Sequence, residues 1–121
     1  LERICMFTQG KKNVFDLAWN NEGVLYKDVF HQAEKEFSKY NFEIANTNNL
    51  FKIFDMLENE AKSLADNKLS LPAYDQCLKA SHVFNILDAR GVISVAQRAA
   101  YIARIRDLVK VVGHVWLESQ K

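Results

Sequence analysis

The stretch from Ser81 to Arg106, SHVFNILDARGVISVAQRAAYIARIR, constrains this chain more than any other. It reads as the end of one helix, a tight turn and the start of a long second helix. Arg90-Gly91 closes the first, because a glycine just past a helix takes positive φ without a Cβ clash. Ser94 opens the second. Gln97, three residues on, completes the spacing of a capping box, in which each side chain satisfies the other's exposed backbone N–H. Helices joined this tightly pack as antiparallel neighbours, so the chain is committed to a helix-on-helix core.

The other segments fit that commitment. Leu1 to Gln9 forms a short helix with Gly10 as its stop. Asn13 to Trp19 alternates only imperfectly and is either a short extended segment or an irregular loop; Asn20-Asn21-Glu22-Gly23 is a turn. A strand there lacks a visible partner. Asp28 is placed to cap a helix through about Tyr40, with Phe30, Ala33 and Phe37 as its apolar stripe. Leu50, Ile53, Phe54, Leu57, Ala61 and Leu64 then recur at helical spacing, with Lys52, Asp55, Glu58, Glu60 and Lys62 on the outer face. Ser70-Leu71-Pro72 opens the next helix, with proline in the first turn. Its inner face is traced by Tyr74, Cys77, Leu78, Ser81, Phe84 and Leu87 or Asp88. The last helix runs from Val95 to about Glu118, with Val95, Ala99, Ile102, Ile105, Val109, Val112 and Trp116 inward. Gly113 inside it costs ~1 kcal/mol relative to alanine and marks a close helix contact. The expected fold is mainly α, an antiparallel helical array in which three good helices follow a less regular front.

A chain of 121 residues buries roughly 65% of its unfolded surface, enough for a real core. No apolar run approaches the ~20 residues of a membrane span, and no signal-peptide pattern opens the chain. The opening Leu1-Glu2-Arg3 lacks an initiator Met, as expected of a segment from inside a longer chain. Cys5 and Cys77 sit on apolar helix faces and read as reduced core thiols of a cytosolic protein. Charge is unevenly spread. Residues 1–78 carry nine Lys/Arg against twelve Asp/Glu, and residues 79–121 carry seven against three. The basic C-terminal third is a solvated helix face or a contact for nucleic acid or an acidic partner.

Enzyme templates fit this segment poorly when it is taken alone. His31, His82 and His114 are scattered, no Cys pair has zinc spacing, and there is no glycine-rich phosphate loop. Arg98, Arg104, Arg106 and Lys110, with Lys79, His82 and Arg90, do not form one tight stripe. Ion pairs such as Arg104 or Lys110 with Asp107 are an equal reading. Asp88 beside Arg90 is placed to fix the turn. Glu2-Arg3 at the head of a helix is the remaining candidate. The fixed charge and planar donors of Arg3, together with the positive end of the helix dipole, suit a phosphate.

The stretches LERICMFTQG (1–10), VFDLAWN (14–20), KDVFHQAEKEFSKYNFEIAN (27–46) and LPAYDQCLKASHVFNILDARGVISVAQRAAYIARIR (71–106) together resemble the α subunit of bacterial glycyl-tRNA synthetase, the heterotetrameric type. They occur in that family's order and spacing and cover essentially the whole chain. Ala96-Gln97 stands where the family pattern has Thr-Glu, a change that keeps the capping role.

The resemblance implies the C-terminal part of a class II aminoacyl-tRNA synthetase subunit. Its antiparallel sheet and first two signature motifs lie upstream. Residues 1–26 would be the tail end of the catalytic core, carrying the third signature motif, and residues 27–121 the C-terminal helical domain. The implied activity is glycine–tRNA ligation. Glycine and ATP form glycyl-adenylate and pyrophosphate, and the glycyl group passes to tRNA(Gly). The segment alone is expected to be inactive. Arg3 then becomes the catalytic and ATP-phosphate contact, with Glu2 as its neighbour in the motif. ATP is a substrate, and Mg²⁺ is expected from the class. Partners would be the β subunit, a second α chain within an assembly of two α and two β chains, tRNA(Gly) and glycine, in the cytoplasm and away from membranes. The competing reading is a non-catalytic helical module that binds a protein or RNA through the basic C-terminal third.

Overall fold

The computed structural model describes residues 1–121. Five α-helices follow one another: α1 (Glu2–Thr8), α2 (Tyr26–Lys39), α3 (Thr47–Asp66), α4 (Ser70–Ala89) and α5 (Val95–Ser119). A 3₁₀ turn at Val14–Asp16 and a π-helical segment at Tyr40–Ile44 complete the regular structure. No strand forms, so the fold is the mainly α array that the sequence indicates. The chain divides into two compact units, Leu1–Ile44 and Ala45–Lys121. This is a division by packing, whereas the boundary expected between residues 26 and 27 is one of catalytic role.

In the first unit, α1 stops where Gly10 takes φ +63°. The Lys11 N–H reaches Met6 O at 2.9 Å and the Gly10 N–H reaches Phe7 O at 3.2 Å, which satisfies the last carbonyls of the helix. The ambiguous segment that follows is neither a plain strand nor an unstructured loop. Asn13 Oδ1 accepts from the Phe15 N–H and caps the 3₁₀ turn. Beyond it Ala18 forms an isolated antiparallel bridge with Leu25. Trp19 N–H donates to Val24 O and Tyr26 N–H to Leu17 O, both at 2.8 Å. The pairing partner is thus local, folded back across a turn in which Asn20 Oδ1 takes the N–H groups of Glu22 and Val24. Asp28 does not sit at the N-cap as expected. Helix α2 begins at Tyr26, ahead of it, and the Asp28 carboxylate reaches back to the Leu25 N–H at 2.8 Å. The extended Leu25 ends the bridge and enters the helix, so the start is set by the pairing. On α2, Phe30 packs against Trp19 and Tyr26, while Phe37 stays exposed.

The second unit is built from α3, α4 and α5. Asn46 Oδ1 caps α3 by accepting from the Asn49 N–H. The helix ends through Lys68, which takes φ +63° although it is not glycine. Leu69 N–H to Leu64 O and Lys68 N–H to Ala65 O, each 2.9 Å, close this turn. A left-handed non-glycine residue costs roughly 1–2 kcal/mol, so this turn holds a small strain. Pro72 lies in the first turn of α4, where its missing N–H has no helical partner to lose. At the other end, Gly91 at φ +69° closes α4, and Val92 and Gly91 donate to Leu87 O and Asp88 O. Ser94 and Gln97 then form the capping box, at 3.2 Å and 3.0 Å.

Two core clusters show how the three helices run. Leu50 and Phe54, early in α3, meet Val83, Phe84 and Leu87, late in α4, with Tyr101, Ile102 and Ile105 of early α5 against them. Ala61 and Ala65, late in α3, meet Ala73 and Cys77 of early α4 and Leu108, Val112 and Val115 of late α5. Helix α4 is therefore antiparallel to both neighbours. Phe54 and Leu87 are the largest fully buried side chains, and burying each contributes roughly 1.5–3 kcal/mol.

The inner faces are offset from the expected ones. On α4, Ala73, Ala80, Val83 and Ile86 are buried, whereas Tyr74 and Leu78 are exposed. Small alanines let α3 and α4 approach closely, and that approach decides which side faces in. On α5, Leu108 and Val115 are buried, whereas Val95, Val109 and Trp116 are exposed. A Cβ added at Gly113 would meet nothing within 4 Å. The glycine lies beside an open apolar groove lined by Leu71, Tyr74, Val109, Val112 and Trp116, not at a close helix contact.

Candidate functional site

Glu2 and Arg3 occupy the first turn of α1. This helix has only seven residues and no side-chain cap, so its dipole offers little, and what Arg3 brings to a ligand is its own fixed charge and five donors. Arg3 is exposed and forms no ion pair or hydrogen bond within the chain. Glu2 is engaged: the Tyr26 hydroxyl donates to its Oε1 at 2.8 Å. That bond, with the nearby carboxylate charge, pushes the Tyr26 phenol above its ordinary value. Beside this pair lies a cavity of about 390 Å³, walled by Cys5, Gln9, Leu17, Trp19, Tyr26 and Phe30. Sequence reasoning passed over Tyr26. It lies twenty-four residues from Glu2, and no local pattern signals such a contact.

The second unit holds a charged cluster that spacing alone assigned wrongly. Glu58, expected on the outer face of α3, is buried. Arg104 of α5 donates to Glu58 through Nε at 2.9 Å and through Nη2 at 3.1 Å, and its Nη2 also reaches Asp55 Oδ1 at 2.7 Å. Lys62 adds a longer contact to Glu58 at 3.4 Å. The guanidinium lies over the Phe54 and Tyr101 rings, 4.8 Å and 4.9 Å from their centroids. The Arg104 hydrogen bonds hold the Glu58 carboxyl below its ordinary value, against the opposing effect of burial. The same contact raises the Arg104 guanidinium. Arg104 therefore pairs with Asp55 and Glu58 across on α3, not with Asp107 of its own helix. A signal existed: Leu50, Phe54, Glu58, Ala61 and Ala65 share one helical face.

Most of the basic C-terminal third is committed within the chain. Arg98 Nε meets Asp88 at 3.2 Å, Lys79 meets Asp75 at 3.0 Å, and Arg90 Nη1 donates to Ala45 O at 2.9 Å. Asp88 thus ties the α4 end to α5 through Arg98, while Arg90 ties it to the entry of α3. Arg106 and Lys110 stand exposed, with no side-chain hydrogen bond or ion pair within the chain. No three His, Cys, Asp or Glu side chains gather as a metal site. Both cysteines are free. Cys77 is buried, which pushes its thiol up, and Cys5 is half-buried. No helix is long and apolar enough to cross a membrane.

The family model described as glycyl-tRNA synthetase alpha subunit matches residues 1–121, the whole chain. The chain belongs to that family, which ties it to glycine–tRNA ligation and protein synthesis.

Proposed function

We propose that this member of the glycyl-tRNA synthetase α family contributes the last part of an ATP-binding active site, through Arg3, and a helical domain that follows it. The family match over residues 1–121 carries the reading. In the reaction it implies, a glycine carboxylate oxygen attacks the α-phosphorus of ATP, and the bond to the bridging oxygen breaks. Pyrophosphate leaves, and glycyl-adenylate remains. The tRNA 3′-terminal hydroxyl then attacks the glycyl carbonyl and releases AMP.

Arg3 would contact the triphosphate and offset the charge that builds on departing pyrophosphate. Its exposure and lack of an internal partner support this role, since a guanidinium already paired within the chain would have to be released first. Glu2 stands beside it as its neighbour in the class II third motif. Residues 1–26 form the tail of the catalytic core and residues 27–121 the helical domain. The first unit exposes Ile4, Phe7, Trp19, Phe37 and Phe42, apolar surface that a catalytic sheet or partner chain would cover. The working assembly is two α and two β chains in the cytoplasm, acting on tRNA(Gly), glycine and ATP. The test is charging of tRNA(Gly) with labelled glycine by the full α chain, by the β chain, and by the two together. Charging that needs both supports the proposal, and charging by β alone contradicts it.

A further inference from the structure

Helix α1 is too short to fix its own orientation and lacks a capping side chain, so its setting depends on what holds its two ends. One short segment holds both. At the N-terminal end, Tyr26 Oη donates to Glu2 Oε1 at 2.8 Å. At the C-terminal end, Ala18 N–H donates to Gln9 Oε1 at 2.9 Å. Ala18 and Tyr26 are fixed to one another by the Ala18–Leu25 bridge and by the Tyr26 N–H bond to Leu17 O. The Tyr26 ring is itself held, 4.8 Å from Phe30 and 6.1 Å from Phe15 between centroids.

Successive helical residues leave the axis roughly 100° apart. Pinning the Glu2 side chain therefore sets the rotation of α1 and the direction in which Arg3 projects. A carboxylate already accepting from a phenol, and carrying negative charge, is also poorly suited to meet a phosphate directly. We infer that Tyr26 is a positioning residue for Arg3: its hydroxyl, acting through Glu2, sets the direction from which the guanidinium meets the triphosphate. This rests on the reading of Arg3 as an ATP contact. Glu2 on this account serves as the handle by which α1 is held. The raised phenol of Tyr26 stays protonated at neutral pH and keeps its donor role.

The experiment measures glycine-dependent ATP–pyrophosphate exchange by the full α chain with its β chain, comparing wild type, Tyr26→Phe, Arg3→Ala and the double variant. Tyr26→Phe keeps the ring and removes only the hydroxyl. The KM for ATP is expected to rise about two- to tenfold, the effect of one lost hydrogen bond, while the KM for glycine holds. In the Arg3→Ala background the same change is expected to add nothing. Equal rises in both KM values, or an equal effect in both backgrounds, would overturn the inference in favour of a general structural role. An impaired Arg3→Ala enzyme beside an unimpaired Tyr26→Phe enzyme would also overturn it, leaving the ATP reading intact. An Arg3→Ala enzyme with slower exchange but unchanged KM for ATP overturns this inference alone; one unchanged in both removes the ATP reading, and this inference with it.

Discussion

Replacing Arg104 with alanine leaves a buried carboxylate without its main partner. The Glu58 side chain is 11% exposed and that of Arg104 36%. Breaking a fully buried pair from one side costs about 3–5 kcal/mol, and losing a fully exposed one costs about 0–1 kcal/mol. This pair lies between those limits. Its acid is nearly enclosed, its guanidinium opens to water on one side, and Lys62 remains at 3.4 Å as a weaker second cation. The lost contacts with the Phe54 and Tyr101 rings add about 0.5–1 kcal/mol. The expected cost of Arg104→Ala is therefore about 2–3 kcal/mol. Arg104→Lys keeps the charge but loses the planar fork, and costs about half as much. Asp55→Ala costs under about 1 kcal/mol, because that acid is exposed. The assay is urea unfolding followed by Trp116 fluorescence in a Trp19→Phe background, so that the signal comes from the second unit. An Arg104→Ala chain within about 0.5 kcal/mol of its parent would refute the reasoning.

Two further outcomes follow from the same unit. The Glu58 carboxyl is held below its ordinary value of 4.5 by Arg104, so its contribution is full above that value and is lost as pH falls through the depressed folded value. The urea midpoint should fall between about pH 5 and pH 2, and Glu58→Gln should flatten that limb; an unchanged limb contradicts the assignment. Gly113→Ala should raise stability by about 0.5–1 kcal/mol, because the added methyl meets nothing within 4 Å and helix entropy favours alanine. A loss of stability in the same unfolding assay would reveal a close contact at that groove.

What could be read from the sequence was what is decided locally. The Ser94–Gln97 box and the stops at Gly10 and Gly91 depend on residues within one turn, and each forms as spaced. The end of α3 at Asn67-Lys68 also falls where the sequence puts it, but the left-handed conformation there is taken by Lys68, and a lysine carries no sign of that geometry. Helix phase was harder. Both α4 and α5 carry apolar residues nearly all round, so Tyr74, Leu78, Val95 and Trp116 matched an inner stripe as well as the residues that are buried. Only the approach of neighbouring helices through Ala73 and Ala80 chooses between them. Glu58 was misplaced for a related reason: a charged residue is assigned to water unless its partner is known, and Arg104 lies forty-six residues away. At the candidate site, Glu2 and Arg3 stood out only weakly from their place at a helix start, and the resemblance over the whole chain gave them their motif role, because two residues there carry little information. The family match supports that resemblance, whereas the hold of Tyr26 on Glu2 emerges only from the folded chain.

The central claim is that this chain supplies Arg3 to the ATP site of a glycine-activating enzyme. The most direct test is ATP–pyrophosphate exchange by the full α chain with its β chain, across a panel of amino acids, with and without Arg3→Ala. The account predicts exchange with glycine alone, reduced about tenfold or more by the substitution, the effect of removing one charged contact to the departing pyrophosphate. Exchange with no amino acid from a folded assembly, or glycine-dependent exchange that Arg3→Ala leaves unchanged, would contradict it.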